Sequence, residues 1–215
     1  MNKDISIWTR GVDRAQFNPA RRSAEWRRAA GLADDDMAVA FLGRIVMEKG
    51  LDVFTDAIRA AMTRGVPLRV VVIGEGPAQP WFAQNLPENA HFTGLLTGAD
   101  LATALASTDV FFNPSITESF GNVTLEAMAC GLPVIAAEAS GATNLVQDGR
   151  TGSLVTPLDT DGFVDALAAY QQGPALRARH GEAGLAFAKT MDWDEINAAV
   201  MRVYARVIER RRVRP

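Results

Sequence analysis

Cysteine is nearly absent from this chain: Cys130 is the only one in 215 residues. No internal disulfide can form, so a reducing, cytosolic setting is the expected one. No apolar run approaches the ~20 residues that span a bilayer, and the opening residues show no signal-peptide pattern. Charge of one sign is not in excess either. The formal net charge is −3, which argues against a nucleic-acid partner. Histidine is scarce, and neither His91 nor His180 stands near Cys130 in sequence or in a cysteine-hydrolase context. Cys130 therefore reads as a small buried helix residue and not as a nucleophile. Internal repeats and low-complexity tracts are missing as well.

What is present is an ordinary globular composition, 48% apolar and 22% charged, enough for one α/β domain with a small appendage. Residues 38–42, 68–73, 90–92, 109–112, 133–136 and 152–155 read as strands. Several are unbroken apolar runs, as in parallel sheets covered on both faces. Residues 51–63, 80–85, 99–107, 121–130 and 142–147 read as the helices between them. Such alternation predicts a doubly wound parallel sheet of about six strands. Three further helices are expected near Asp161, Pro174 and Asp192, each opened by an acidic residue or proline. Basic residues gather at the ends: Arg21, Arg22, Arg27 and Arg28, then Arg206, Arg210, Arg211, Arg212 and Arg214. A solvated helix face is the plain reading of these; contact with an anionic membrane or another domain is the sharper one.

If the sheet is wound in the commonest order, strands 1 and 4 are neighbours and ligands bind outside their carboxyl ends. Two unusual loops leave those ends. The first, Gly43-Arg44-Ile45-Val46-Met47-Glu48-Lys49-Gly50, carries two cations. The second, Glu118-Ser119-Phe120-Gly121-Asn122, opens a helix whose free N–H groups favour an anion. Arg44 can grip phosphate through its planar fork and Lys49 as a mobile point charge, although both could be ordinary loop charges with Glu48 as counter-ion. Glu126 falls in an apolar helix and needs a partner. That partner could be vicinal sugar hydroxyls, which suit a carboxylate, or an arginine or lysine in a buried pair.

These segments resemble the family 4 glycosyltransferases, retaining enzymes of the GT-B fold that use nucleotide-sugar donors. The likeness rests on Gly43-Arg44, Lys49-Gly50, the Gly74-Glu75-Gly76-Pro77 turn, the E-x7-E of Glu118 and Glu126, Gly131-Leu132-Pro133, Asp148-Gly149 and Pro157-x-Asp159. It runs from about Ile7 to the C-terminus. The resemblance implies that Arg44 and Lys49 bind the donor diphosphate, and that Glu118 holds the hexose with help from the backbone at Phe120, Gly121 and Asn122. Glu126 would hold the ribose, and the loop of Thr93, Gly94, Leu95 and Leu96 would meet the base. The implied catalytic set is Arg44, Lys49 and Glu118. The implied donor-binding set is Gly43, Arg44, Lys49, Leu95, Glu118, Ser119, Phe120, Gly121, Asn122, Val123 and Glu126.

The resemblance implies no cofactor and no metal, since the cations replace a divalent ion. Asp34-Asp35-Asp36, Asp159-Thr160-Asp161 and Asp192-Trp193-Asp194 match the D-x-D pattern of metal-dependent transferases. Each lies at a turn or helix start and reads as capping. Asn144 stands where the family usually has Glu. Residues 1–36 are expected to form a linker-derived segment and helix, 37–191 the Rossmann-like donor-binding domain, and 192–215 a C-terminal helix packing toward a further N-terminal domain. The chain thus looks like the donor-binding half of a GT-B hexosyltransferase, which by itself should bind donor weakly and transfer poorly. Its expected partners are a nucleoside diphosphate sugar (GDP- or UDP-linked, with a leaning to mannose-type donors from the Trp8–Asp13 segment), an acceptor glycan or lipid, and possible peripheral contact with the cytoplasmic membrane face. Three rival functions share parts of this pattern. A glycoside hydrolase would not need a diphosphate cradle. A nicotinamide dehydrogenase is disfavoured because Gln79 occupies the third-glycine position of the fingerprint. A non-catalytic nucleotide-sugar binding module shares every donor-site residue.

Overall fold

In the computed structural model, residues 8–139 and 141–212 are described, without the side chains of 210–212. The expected apolar runs become six strands: β1 (Ala38–Leu42), β2 (Arg69–Ile73), β3 (His91–Gly94), β4 (Val110–Asn113), β5 (Val134–Ala137) and β6 (Gly152–Val155). All pair in parallel, in the order β3-β2-β1-β4-β5-β6. The doubly wound sheet is as the sequence predicts, with strand limits displaced by a residue or two. Winding reverses between β1 and β4, where Val39 lies beside Val110 and Ala40 beside Phe111.

The helices are α1 (Ala24–Ala29), α2 (Leu51–Thr63), α3 (Gln79–Asn85), α4 (Gly98–Ala106), α5 (Asn122–Ala129), α6 (Thr160–Gln172), α7 (Pro174–Ala188) and α8 (Trp193–Arg212). Alternate residues of β1 serve opposite cores. Ala38 and Ala40 face a layer holding Leu105 of α4 and Leu125 and Met128 of α5. Val39 and Phe41 face a layer holding Phe54 of α2, Phe82 of α3 and Phe163 of α6. In the second layer five phenylalanines touch in succession: Phe82 and Phe41 meet edge to face, and Phe112 bridges Phe54 and Phe163. Burying such rings contributes about 2 to 3 kcal/mol each.

One expected helix does not form. Residues 142–147 give only a 3-10 turn, Ala142–Asn144. Leu145 and Val146 turn inward to the core, and the Gln147 N–H donates to the Thr151 hydroxyl at 2.8 Å. Burial of two side chains and loss of that donor end the ladder after one turn. The D-x-D triplets behave as capping groups. Asp159 accepts from the Gly162 N–H at 3.0 Å, Asp192 from the Asp194 N–H at 2.9 Å, and Asp36 from the Ala33 N–H at 2.8 Å.

The expectation of a solvated basic face near the start holds for Arg21, Arg22 and Arg28, which are exposed, and is corrected at Arg27. Arg27 is only 3% exposed. It donates to the carboxylate of Asp109 and to the carbonyl oxygens of Ser107, Ala33 and Asp36. Arg22 takes the other Asp109 oxygen at 2.7 Å, and the Ala38 N–H donates to the same carboxylate. Asp109 thereby ties the segment before β1 to the amino ends of β1 and β4. Upstream, Val12 bonds the Met191 carbonyl, Gly11 abuts the Trp193 ring, and Arg14 pairs with Asp192. Of the later arginines, Arg206 is exposed, Arg210, Arg211 and Arg212 have no described side chains, and Arg214 and Ile7 lie outside the described residues.

Removing Asp109 leaves the buried Arg27 guanidinium without its counter-ion. Asp109→Ala should lower stability to urea unfolding by about 3 kcal/mol. A loss under ~1 kcal/mol would show that the carbonyls alone satisfy Arg27.

Candidate functional site

Because every strand is parallel, the loops after β1, β2, β3 and β4 all emerge on one rim. Two close backbone approaches lock them together. Gly74, after β2, has φ of 134°, and a Cβ there would sit 2.0 Å from the Gly43 carbonyl oxygen. Gly141 has φ of 90°, and a Cβ there would sit 2.5 Å from the Glu118 carbonyl oxygen. Only glycine allows either contact. The Ile45 N–H also bonds the Glu75 carbonyl at 2.9 Å, and the Thr117 hydroxyl donates to the Glu48 carbonyl at 3.1 Å. The loops after β1 and β4 flank one crevice, as the strand order predicts.

A cleft of about 500 Å³ opens there. Gly43, Arg44, Leu95, Val123 and Glu126, all expected at the site, line it. Leu42, Ile73, Leu96 and Leu101 give it an apolar floor, and Glu75 stands at its edge. Arg44 is 70% exposed, with Glu48 at 4.0 Å; Leu95 is 63% exposed. Lys49 and Glu118 do not line this cleft. They pair with each other, Nζ to Oε1 at 2.5 Å, across the two loops. Ser119 and Asn122 are exposed, Phe120 packs partly buried on the core, and Gly121 caps α5; none of the four lines the cleft.

Of the two partners left open for Glu126, a buried ion pair does not form among the described residues. Among the described residues no cation pairs with it, and it lines the cleft together with Val123 and the leucines. Burial pushes it up to about 7. Its charge in turn adds to burial in pushing the Cys130 thiol up to about 12. Cys130 is thus a buried neutral thiol, in keeping with the sequence reading. Among the described residues no cluster of three acidic, histidine or cysteine ligands is found.

Sequence reasoning gave no role to Glu75 or, Leu96 apart, to the apolar floor. The Gly74-Glu75-Gly76-Pro77 turn was visible as a motif, but nothing in it shows that its neighbour in space is the loop after β1. Leu42, Ile73 and Leu101 read only as core.

A doubly wound sheet with cations and carboxylates gathered at its reversal defines a ligand-binding α/β domain. A family model described as "Glycosyl transferases group 1" matches residues 36–173, and the chain belongs to that family. It is 33% identical over 208 residues to a GDP-mannose-dependent alpha-mannosyltransferase of Corynebacterium glutamicum, covering 95% of this chain and 48% of that protein. It superposes on the structure of Anabaena HepE in complex with UDP and glucose with a TM-score of 0.79 and 26% identity, over 91% of this chain and 55% of the other. It also superposes on the C-terminal domain of the group 1 family protein LpcC from Francisella tularensis with a TM-score of 0.73 and 25% identity, over 84% of this chain and 97% of that one. The likeness to the C-terminal half of a GT-B glycosyltransferase is borne out. The chain spans about half the length of the curated relatives it matches.

The carboxyl of Glu126 keeps its proton in the folded state up to about pH 7, whereas an unfolded chain releases it near 4.5. Wild type therefore loses stability as pH rises between those values, and Glu126→Gln does not. The variant should gain about 2 kcal/mol over wild type at pH 8 and nothing at pH 4. Urea midpoints at the two pH values check this; equal differences at both would refute the burial account.

Proposed function

We propose that this chain supplies the donor site of a retaining glycosyltransferase that moves a hexose from a nucleoside diphosphate sugar to an acceptor hydroxyl. The observation that carries this reading is the meeting of Arg44, Lys49, Glu118 and Glu126 at the β1/β4 reversal. Arg44 and Lys49 would neutralise the diphosphate as it leaves, helped by the amino end of α5, so that no divalent ion is required. Glu118 would hold the hexose hydroxyls and Glu126 the ribose, each carboxylate accepting from a hydroxyl pair. Leu95 and Leu96 would border the base. Arg44, Lys49 and Glu118 act on the transferred group, while Gly43, Ser119, Phe120, Gly121, Asn122 and Val123 shape the backbone around it.

The donor is either GDP- or UDP-linked: the Corynebacterium relative is named for GDP-mannose, and the Anabaena structure holds UDP. The acceptor, a glycan or lipid, would be met by a further domain packed toward α8, in the cytoplasm or at the inner face of its membrane. No helix among the described residues is long and apolar enough to cross one. Because the chain spans only about half of its relatives, a binding module that transfers nothing without another chain is the second reading.

Titration calorimetry with GDP and UDP in the absence of metal tests the first reading. One nucleotide should bind, and Glu126→Ala or Lys49→Ala should each weaken it by roughly tenfold or more. Absence of binding by both, with the N-terminal half restored, would end the donor-site reading.

Glu126 must be ionised to accept two ribose hydroxyls, so donor binding releases its proton. Affinity for GDP-mannose or UDP-glucose, neither of which titrates near neutrality, should fall as pH drops from 8 to 6. Glu126→Gln should bind more weakly and show a flat profile. A wild-type profile equally flat would place the ribose elsewhere.

A further inference from the structure

Lys49 and Glu118 are assigned above to different parts of one ligand, the diphosphate and the hexose, yet they hold each other. The pair is 2.5 Å long and its side chains are 29% and 13% exposed. The backbone that carries Glu118 is held in place, since a Cβ at Gly141 would sit 2.5 Å from the Glu118 carbonyl oxygen. Among the described residues no other cation reaches Glu118, and Arg44 lies near Glu48 instead.

Resting on the donor-site reading, we propose that Glu118 is an internal competitor for Lys49, making the site discriminate the intact nucleotide sugar from the nucleoside diphosphate left after transfer. A nucleoside diphosphate that draws Lys49 onto its phosphates strips Glu118 of its cation and offers nothing in exchange. A largely buried carboxylate left in that state is costly. When the hexose is attached, its hydroxyls donate to Glu118 and replace what Lys49 supplied. Part of the sugar's contribution to affinity is thus the restoration of partners to Glu118. Once the sugar has departed, Glu118 competes for Lys49 again and weakens the hold on the product.

The test is calorimetry on the whole chain with GDP, UDP, GDP-mannose and UDP-glucose, using wild type, Glu118→Gln, Glu118→Asp, Lys49→Ala and the Lys49→Ala/Glu118→Gln double variant. Glu118→Asp, with a shorter reach and its charge retained, provides a second way to loosen the pair. Both Glu118 variants should bind the nucleoside diphosphate roughly three- to tenfold tighter than wild type. The ratio of nucleotide-sugar to nucleoside diphosphate affinity should shrink at least as much. In the Lys49→Ala background, Glu118→Gln should leave nucleoside diphosphate binding unchanged, because the competition needs both groups. Nucleoside diphosphate affinity that is unchanged or lower in both Glu118 variants overturns the proposal while leaving the donor site standing. Failure of wild type to bind any of the four, with the N-terminal half restored, overturns the donor site itself.

Discussion

A parallel sheet buried on both faces leaves its strands no way to connect except by crossing over, and every crossover here carries a helix or a compact turn. That constraint sends all the loops that follow strands to one rim. Charged residues distant in sequence then become neighbours in space. Arg44 and Glu126 line one cleft, and Lys49 touches Glu118, because β1 and β4 are paired. The two glycine contacts at Gly74 and Gly141 narrow the loops' freedom further. Position is therefore set by backbone packing before any side chain on the rim makes a polar contact.

The opposite rim holds a buried charge pair, and it solves a different problem. Asp109 is surrounded by Arg22, Arg27 and the Ala38 N–H, so its charge is fully answered. A buried pair of this kind adds little net stability over an apolar replacement, yet breaking it is expensive. Its effect is to fix where the segment before β1 lies against the amino ends of the strands. The carboxyl rim carries the exposed Arg44 and the unpaired Glu126. One rim is closed by satisfied charges and the other is left with groups able to engage a ligand.

Much of this was legible in the sequence. Several strands are apolar runs, and the sequence reading places all six to within a residue or two. Strand order followed from the commonest winding, and with it the convergence of two loops that are 74 residues apart between Arg44 and Glu118. Three things were not legible. Residues 142–147 have helical composition, but tertiary burial of Leu145 and Val146 overrides it. Arg27 reads as surface charge because two of its acceptors, the Ser107 carbonyl and the Asp109 carboxylate, lie 80 and 82 residues away in sequence. The Lys49–Glu118 contact is a matter of ångströms, which no motif encodes.

The two carboxylates of the E-x7-E segment show how one loop and one helix can set opposite electrostatic states. Glu118 sits before α5, where the loop after β1 reaches it, and receives a lysine. Glu126 sits on the second turn of α5 and lines the cleft with Val123, Leu96 and Leu101, and no described cation pairs with it. Desolvation then raises its affinity for a proton to near neutrality. A group so placed costs stability whenever it ionises, and a second cation could have removed that cost. Such a cation would also have taken acceptor sites that a ligand's hydroxyls could otherwise use. The instability at Glu126 and its capacity to bind are consequences of one arrangement, an acceptor held in an apolar cleft without a resident partner.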